Sequence, residues 1–444
     1  MLFNSLAYLV FFPAVAVLHY LLPHRFRWVF VLCASMVFYM AWRAEYVLLL
    51  ASVCAVNYVG ALAARRAEKI PHKKAAVAAS LILSFGLLFY FKYLGLFGYD
   101  IILPMGISFY TFQSVGYTID VYRRRIPAEK NYFKFLLFNS YFPQLVAGPI
   151  ERADRLMAQL FAKKRMEWTN ISAGAGLLIT GFFKKIVVAD RLSVLVNAVY
   201  GSPRAYPGVA LIIATIFFGF QIYCDFGGYS DIAVGSARIL GVELTQNFKQ
   251  PYFSSSVREF WRRWHISLSS WFKDYLYIPM GGSRVSKARR HFNTMVTFVI
   301  SGVWHGANYT FFIWGALHGL FISVESELSE RFRYKSVILT FIFVTFAWIF
   351  FRANSISDAF YIAGNLFSNP EGLLSRQVLY DVASGMGISL LDLAINAFLI
   401  AALCAADLYT RRKKPGMAFY LILCVFIMAF GVFDGGSGFI YFQF

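Results

Sequence analysis

The chain has 444 residues, of which 59% are hydrophobic, 19% aromatic and 15% charged, with a mean hydropathy of +0.58. This balance excludes a string of ordinary soluble domains and predicts an all-α, polytopic membrane protein forming a single domain over residues 1–444, with about eleven transmembrane helices plus re-entrant and interfacial pieces. The formal charge of +19 does not argue for nucleic acid, because the cations cluster in short connections between apolar runs; a remainder suits anionic phosphates, of lipids or of a nucleotide-bearing ligand.

Residues 6–22 are apolar and the first cation is Arg25, so the start lacks the positive region of a cleavable signal peptide and reads as a first span. Runs 28–42 and 46–64 follow across a polar turn at 43–45. The basic loop of Arg65, Arg66, Lys69, Lys73 and Lys74 is placed in the cytoplasm, which puts the N-terminus outside. Further cationic connections lie at 123–125, 163–165, 284–290, 331–335 and 411–414, and the run 417–432 leaves the C-terminus outside as well. Residues 1–100 thus hold N-terminal helices, 101–325 a motif-bearing core, and 326–444 C-terminal helices.

Two runs are interrupted. Residues 103–121 carry Pro104, Gly106, Gln113, Gly116 and Asp120, and residues 138–150 carry Pro143, Gln144, Gly148 and Pro149. Broken polar backbone at membrane depth is tolerated only around protein or a water-filled cavity, so both are expected to be re-entrant pieces near an internal site. The spaced glycines of GAGLLITG, from Gly174, suit close helix packing rather than a phosphate loop. No internal repeat of the kind common in secondary transporters is visible.

In YCDFGGYSD, from Tyr223, Asp225 and Asp231 sit in apolar surroundings beside Tyr229. A buried carboxylate needs a partner, and nearby arginines are candidates; ion pairing is weighed here against a catalytic role. The five cysteines, Cys33, Cys54, Cys224, Cys404 and Cys424, are dispersed without a metal or disulfide spacing. Packing explains them, with Cys224 as an alternative nucleophile beside Asp225.

The stretch from Arg258 to Gly282 is the most unusual. At helical periodicity Trp261, Trp264, Leu268, Trp271 and Phe272 share one face, while Arg258, Arg262, His265 and Ser269 line the edge of the other. Glu259 and Arg263 are spaced to pair. This predicts an amphipathic helix at the cytoplasmic interface or dipping into the protein. Either its histidine is incidental, or the stretch is a wall for a phosphate-rich or thioester-bearing molecule, with arginines for the anion and aromatics for the acyl part.

Residues 292–304 run outward and 309–324 return, forming a helical hairpin that turns at 306–308. His318 falls about 14 Å down the returning helix, half-way through a core of ~30 Å. An ionisable group at that depth is read as functional by default. Trp314, one turn earlier, shares its face. His305, at the end of the outgoing helix, serves either the outer mouth or a cap. His19, His24, His72 and His291 lie near loops or ends and read as solvated or structural.

The blocks LPMGISFYTFQSVGYTIDVYR from Leu103, FPQLVAGPIER from Phe142, YCDFGGYSDIAVG from Tyr223, NFKQPYFSSSVREFWRRWHISLSSWFKDYLYIPMGGSR from Asn247, GVWHGANYTFFIWGALHG from Gly302 and WIFFRA from Trp348 resemble the membrane-bound O-acyltransferase (MBOAT) family, in particular its bacterial alginate O-acetyltransferase branch. The resemblance spans nearly the whole chain. It implies that His318 is the catalytic histidine and His265 the second polar position of the active site, with Arg258, Arg262, Trp261, Trp264, Trp314, His305, Asp225 and Tyr229 as substrate-binding candidates and no metal. It further implies helices around a thinner centre, no bound cofactor, acetyl-CoA as cytoplasmic donor, and a multi-pass location in the bacterial inner membrane with both termini periplasmic. A periplasmic esterase-like partner, a polysaccharide acceptor and membrane lipid complete the expected associations. Because no fused periplasmic domain follows GFIYFQF, a separate partner is expected to finish any delivery to a polysaccharide. Two rivals remain: transfer of D-alanine from a carrier protein, within the same family, and a transporter, in which histidines and aspartates at membrane depth would serve ion-coupled flux.

Overall fold

Side-chain caps start many of the helices: Ser5, Asn131, Ser256, Asn308, Ser336, Ser355, Ser375 and Ser389 each accept from a backbone N–H of the first turn, satisfying donors that the helix itself leaves unpaired. The computed structural model describes residues 1–99, 101–146, 148–328, 336–368, 375–433 and 438–440. Among them the regular structure is helical and no strand occurs. The expected basic connection at 331–335, and the last four residues of GFIYFQF, lie outside the described residues.

The chain divides into two compact units, one of residues 1–178 with 229–247 and the other of 179–228 with 248–444. The first contains α1 (Leu6–Leu21), α2 (His24–Met40), α3 (Tyr46–Arg66), α4 (Ile70–Tyr93), α5 (Ile107–Tyr122), α6 (Tyr132–Ser140), the single turn α7 (Phe142–Leu145), α8 (Ala153–Phe161) and the start of α9 (Trp168–Phe182). A π-helical turn, Phe183–Ala189, leads in the second unit to α10 (Asp190–Gly201) and α11 (Gly208–Ile239), whose last turns return to the first. The second unit continues with α12 (Val257–Arg263), α13 (Ile266–Phe272), α14 (Lys287–His305), α15 (Tyr309–Glu327), α16 (Val337–Arg352), α17 (Ile356–Asn365), α18 (Arg376–Gly385), α19 (Leu390–Arg412) and α20 (Met417–Phe430).

Five stretches are long and apolar enough to cross a membrane: α3, α4, the continuous run Trp168–Gly201, α11 and α19. Shorter apolar helices are α1, α16 and α20. The expected total of about eleven therefore exceeds those that satisfy both length and hydropathy among the described residues.

In the first unit, the segment 103–121 is not broken as expected. Pro104 and Gly106 precede α5, Gly106 taking φ +74° as its N-cap, and the helix then runs uninterrupted, with several of its polar groups partnered. Gln113 donates to the Phe138 carbonyl at 2.7 Å, Ser114 to Asn139 Oδ1 at 2.8 Å and Thr118 to Asn57 Oδ1 at 3.0 Å. Residues 138–150 are interrupted as expected, α6 ending at Ser140 and α7 lasting one turn. Gly174 and Gly235 let α9 and α11 approach until a Cβ on either would meet the other's carbonyl oxygen, at 2.6 and 2.7 Å, which is the packing role read from GAGLLITG.

In the second unit, α14 and α15 form the predicted hairpin. Gly302 and Gly315 face carbonyls of Phe311 and Phe298 so closely that any Cβ would collide with backbone. Asn308 Oδ1 caps α15 through the Thr310 N–H at 3.1 Å. Two helices in backbone contact have one workable register, and that register places His318.

Candidate active site

The helix predicted through His265 is two helices. α12 ends at Arg263, α13 begins at Ile266, and His265 between them adopts φ +42° and ψ +54°. That left-handed conformation is costly for a side-chain-bearing residue and bends the chain away from the continuous face drawn by periodicity. The aromatic face dips into the protein: Trp261, Trp264 and Trp271 are buried, and His265 is 1% exposed. Arg258 and Arg262 lie on the exposed edge of α12, so arginines and tryptophans do not share one wall. Glu259 pairs with Arg263 at 2.8 Å as spaced. Desolvation pushes the Glu259 carboxyl up, but donors from Ser255 and the Arg263 guanidinium outweigh it and hold the group below its ordinary value.

Two contacts lay α12 along α15. The Glu325 carboxylate accepts from the Arg258 backbone N–H at 3.1 Å, an anion at a helix N-terminus. Two turns away on α15, His318 Nδ1 accepts from Trp261 Nε1–H at 3.2 Å. His318 is fully buried. Its ring is caged by Trp261, Trp314 and Phe343 at centroid distances of 5.2, 5.1 and 5.5 Å, with Phe298 at 6.3 Å and Phe260 and Trp348 at 6.5 Å. Nε2 has no hydrogen-bond partner among the described residues.

From His318 a chain of ring contacts runs to His265: Trp314 to His305 at 5.2 Å, His305 to Trp304 at 4.8 Å, and Trp304 to His265 at 6.4 Å. His305 is thus a buried wall residue, and His265 packs also on Phe226 at 4.7 Å. Trp264 stands one ring further out, against Trp348 at 5.1 Å. Of the expected set, His318, His265, His305, Trp261, Trp264 and Trp314 form one aromatic cluster.

Asp225 and Tyr229 do other work. Asp225 is paired by Lys185 at 2.6 Å, not by an arginine, and Lys185 also binds Asp190 at 2.8 Å. The Ile440 N–H donates to the second Asp225 oxygen at 2.6 Å. Tyr229 donates to Asn4 Oδ1 at 3.0 Å and packs on Phe3 within the first unit. Cys224 is completely buried, as its packing reading expects.

Sequence reasoning missed Phe343 and the Lys185 cluster. Two lysines inside the apolar run FFKKIVVAD were the available signal for the latter, since cations at such depth are rare without a partner.

A profile of the MBOAT, membrane-bound O-acyltransferase family matches residues 122–357. Similarity extends further: the chain is 35% identical over 439 residues to a probable alginate O-acetylase AlgI of Pseudomonas syringae pv. tomato, covering 93% of this chain and 84% of the relative. The chain belongs to the membrane-bound O-acyltransferase family. A peptidoglycan O-acetyltransferase of Helicobacter pylori is 32% identical, covering 81% of this chain and 78% of the relative. A teichoic acid D-alanyltransferase of Bacillus subtilis is 25% identical, over 57% and 69%. As a membrane-bound O-acyltransferase, the protein is a multi-pass membrane enzyme that transfers acyl groups to oxygen, and the transporter reading falls away.

The hydrogen bond from Trp261 specifies a tautomer. A neutral imidazole that accepts at Nδ1 carries its hydrogen on Nε2. With ¹⁵N-labelled histidine, the wild-type His318 is expected to show an unprotonated Nδ1 and a protonated Nε2, and Trp261→Phe a mixture of both tautomers. An unchanged spectrum in the variant would remove Trp261 from this role.

Proposed function

We propose that the protein moves an acetyl group from a cytoplasmic thioester, acetyl-CoA, across the bacterial inner membrane for O-acetylation of an extracytoplasmic polysaccharide such as alginate. A periplasmic esterase-like partner completes delivery, and both termini face the periplasm. The observation that carries this reading is His318: a buried imidazole in an aromatic cage, its Nε2 without a hydrogen-bond partner among the described residues, in a chain whose relatives include alginate and peptidoglycan O-acetylating proteins by name.

In the proposed reaction the acceptor oxygen attacks the thioester carbonyl carbon, the C–O bond forms as the C–S bond breaks, and the hydroxyl proton passes through His318 to the departing thiolate. The developing oxyanion needs a donor, for which His265 is the candidate. His318 accepts a proton only when the Trp261 N–H leaves Nδ1. Its release either bares the Nδ1 lone pair or lets the ring hydrogen shift from Nε2 to Nδ1. Arrival of the donor acyl group beside Trp261 is therefore proposed to switch the base on.

The relative that transfers D-alanine supports a second reading, in which the donor is an acylated carrier protein. Purified protein with acetyl-CoA, with and without candidate periplasmic partners, separates the two by coenzyme A release. Partner-stimulated release is the expected result. Acyl loss from a D-alanyl carrier protein alone, with acetyl-CoA untouched, would replace the acetyl reading.

A further inference from the structure

At the elbow joining α1 to α2, the first unit contains a half-open cavity of about 210 Å³. Its wall carries His19, His24, Arg25, Arg27, Lys134 and Lys164, and no carboxylate. None of the four Arg and Lys side chains has an ion-pair partner among the described residues. Arg27 is held by neutral acceptors only, donating to the carbonyls of Tyr20, Leu22 and Lys164 at 3.1, 2.9 and 2.7 Å. Its position is fixed while its charge stays unneutralised.

Two further observations point to an occupant. His19 is 7% exposed, lines the cavity, and neither ring nitrogen has a hydrogen-bond partner among the described residues. A buried polar group of this kind ordinarily has one. Meanwhile the first turn of α2 carries His24, Arg25 and Arg27 and no acidic residue, the reverse of what the positive end of a helix favours. An anion in the cavity resolves both. The rest of the wall is mainly apolar, with Val31, Leu137 and Leu160 beside Tyr141 and Gln159, and the elbow follows the apolar helix α1.

We infer that this cavity binds a phosphate group, separately from the chemistry proposed at His318. Arg25, Lys134 and Lys164 neutralise the phosphate, and His19 donates to one of its oxygens. An anionic phospholipid headgroup and the phosphates of a soluble nucleotide share this chemistry.

The test uses the full chain in neutral detergent, with two probes. In the first arm, mixed micelles holding equal phosphatidylglycerol and phosphatidylcholine are exchanged onto the protein and retained lipid is counted by mass spectrometry. In the second, coenzyme A binding is measured by equilibrium dialysis without lipid. Arg25→Gln/Lys134→Gln removes two wall charges, His19→Leu removes the imidazole at constant charge, and Arg65→Gln/Arg66→Gln removes two cations elsewhere.

Phosphatidylglycerol enrichment that drops at least about fivefold in the wall variants but not in the Arg65/Arg66 control supports the site with a lipid occupant. The same pattern confined to coenzyme A supports it with a soluble one. Equal losses in wall and control variants, or none in either arm, would overturn it. Melting temperatures within a few degrees of wild type certify that each variant is folded.

Discussion

His318→Gln is expected to reduce thioester turnover by about 10² to 10⁴, the range that a positioned acid–base group supplies. Glutamine fills much of the ring's volume and keeps an oxygen to accept from Trp261, so folding is expected to survive and melting to shift by little. The comparison is Trp261→Phe, which leaves the imidazole in place and removes a single N–H. Because one hydrogen bond is worth about 1 kcal/mol net, turnover there should stay within about tenfold of wild type. If His318→Gln retains full activity, the proton passes elsewhere and the cage is only packing. Should both variants lose activity equally, the indole N–H itself takes part in the reaction.

Removing Lys185 is expected to be the most damaging change outside the site. Its ammonium and the carboxylates of Asp190 and Asp225 are buried together. Lys185→Met would strand two carboxylates, and breaking a buried ion cluster from one side costs about 3–5 kcal/mol. The variant should melt far below wild type or fail to accumulate in membranes. Neutralising the stranded partners in Lys185→Met/Asp190→Asn/Asp225→Asn should restore most of that loss, because the penalty comes from uncompensated charge rather than from a missing attraction. A single Lys185→Met protein with wild-type melting would show that the carboxylates are neutral or hydrated.

The hairpin bearing His318 was legible in the sequence because its cues are local: a cationic start, an apolar run, a Gly-Ala-Asn turn and a return. The depth of His318 follows from counting residues. The break at His265 was not legible, since the tryptophan spacing continues smoothly across it and no glycine or proline announces a left-handed residue. Periodicity reports which side chains are buried, and both short helices bury theirs. Pro104 and Gly106 misled in the opposite sense. They looked like interruptions of a span but stand before its first turn, and the polar residues that followed are satisfied by Asn57, Phe138 and Asn139, partners too distant in sequence to be inferred. The lysine that pairs with Asp225 was equally remote, 40 positions upstream.

Glycine packing in the hairpin has a consequence for how this region can vary. Loops between helices ordinarily absorb insertions and deletions freely. Here the turn at 306–308 joins two helices whose backbones touch at Gly302 and Gly315, so the turn's length meters the rotation of α15. One residue added there would slide α15 by one position and turn it about 100° around its axis, bringing Trp314 or Ala316 to the place where only a glycine fits. The hairpin would then lose its backbone contact, and with it the placement of His318 against Trp261. The length of this short surface turn is thereby as constrained as the identity of the histidine it positions.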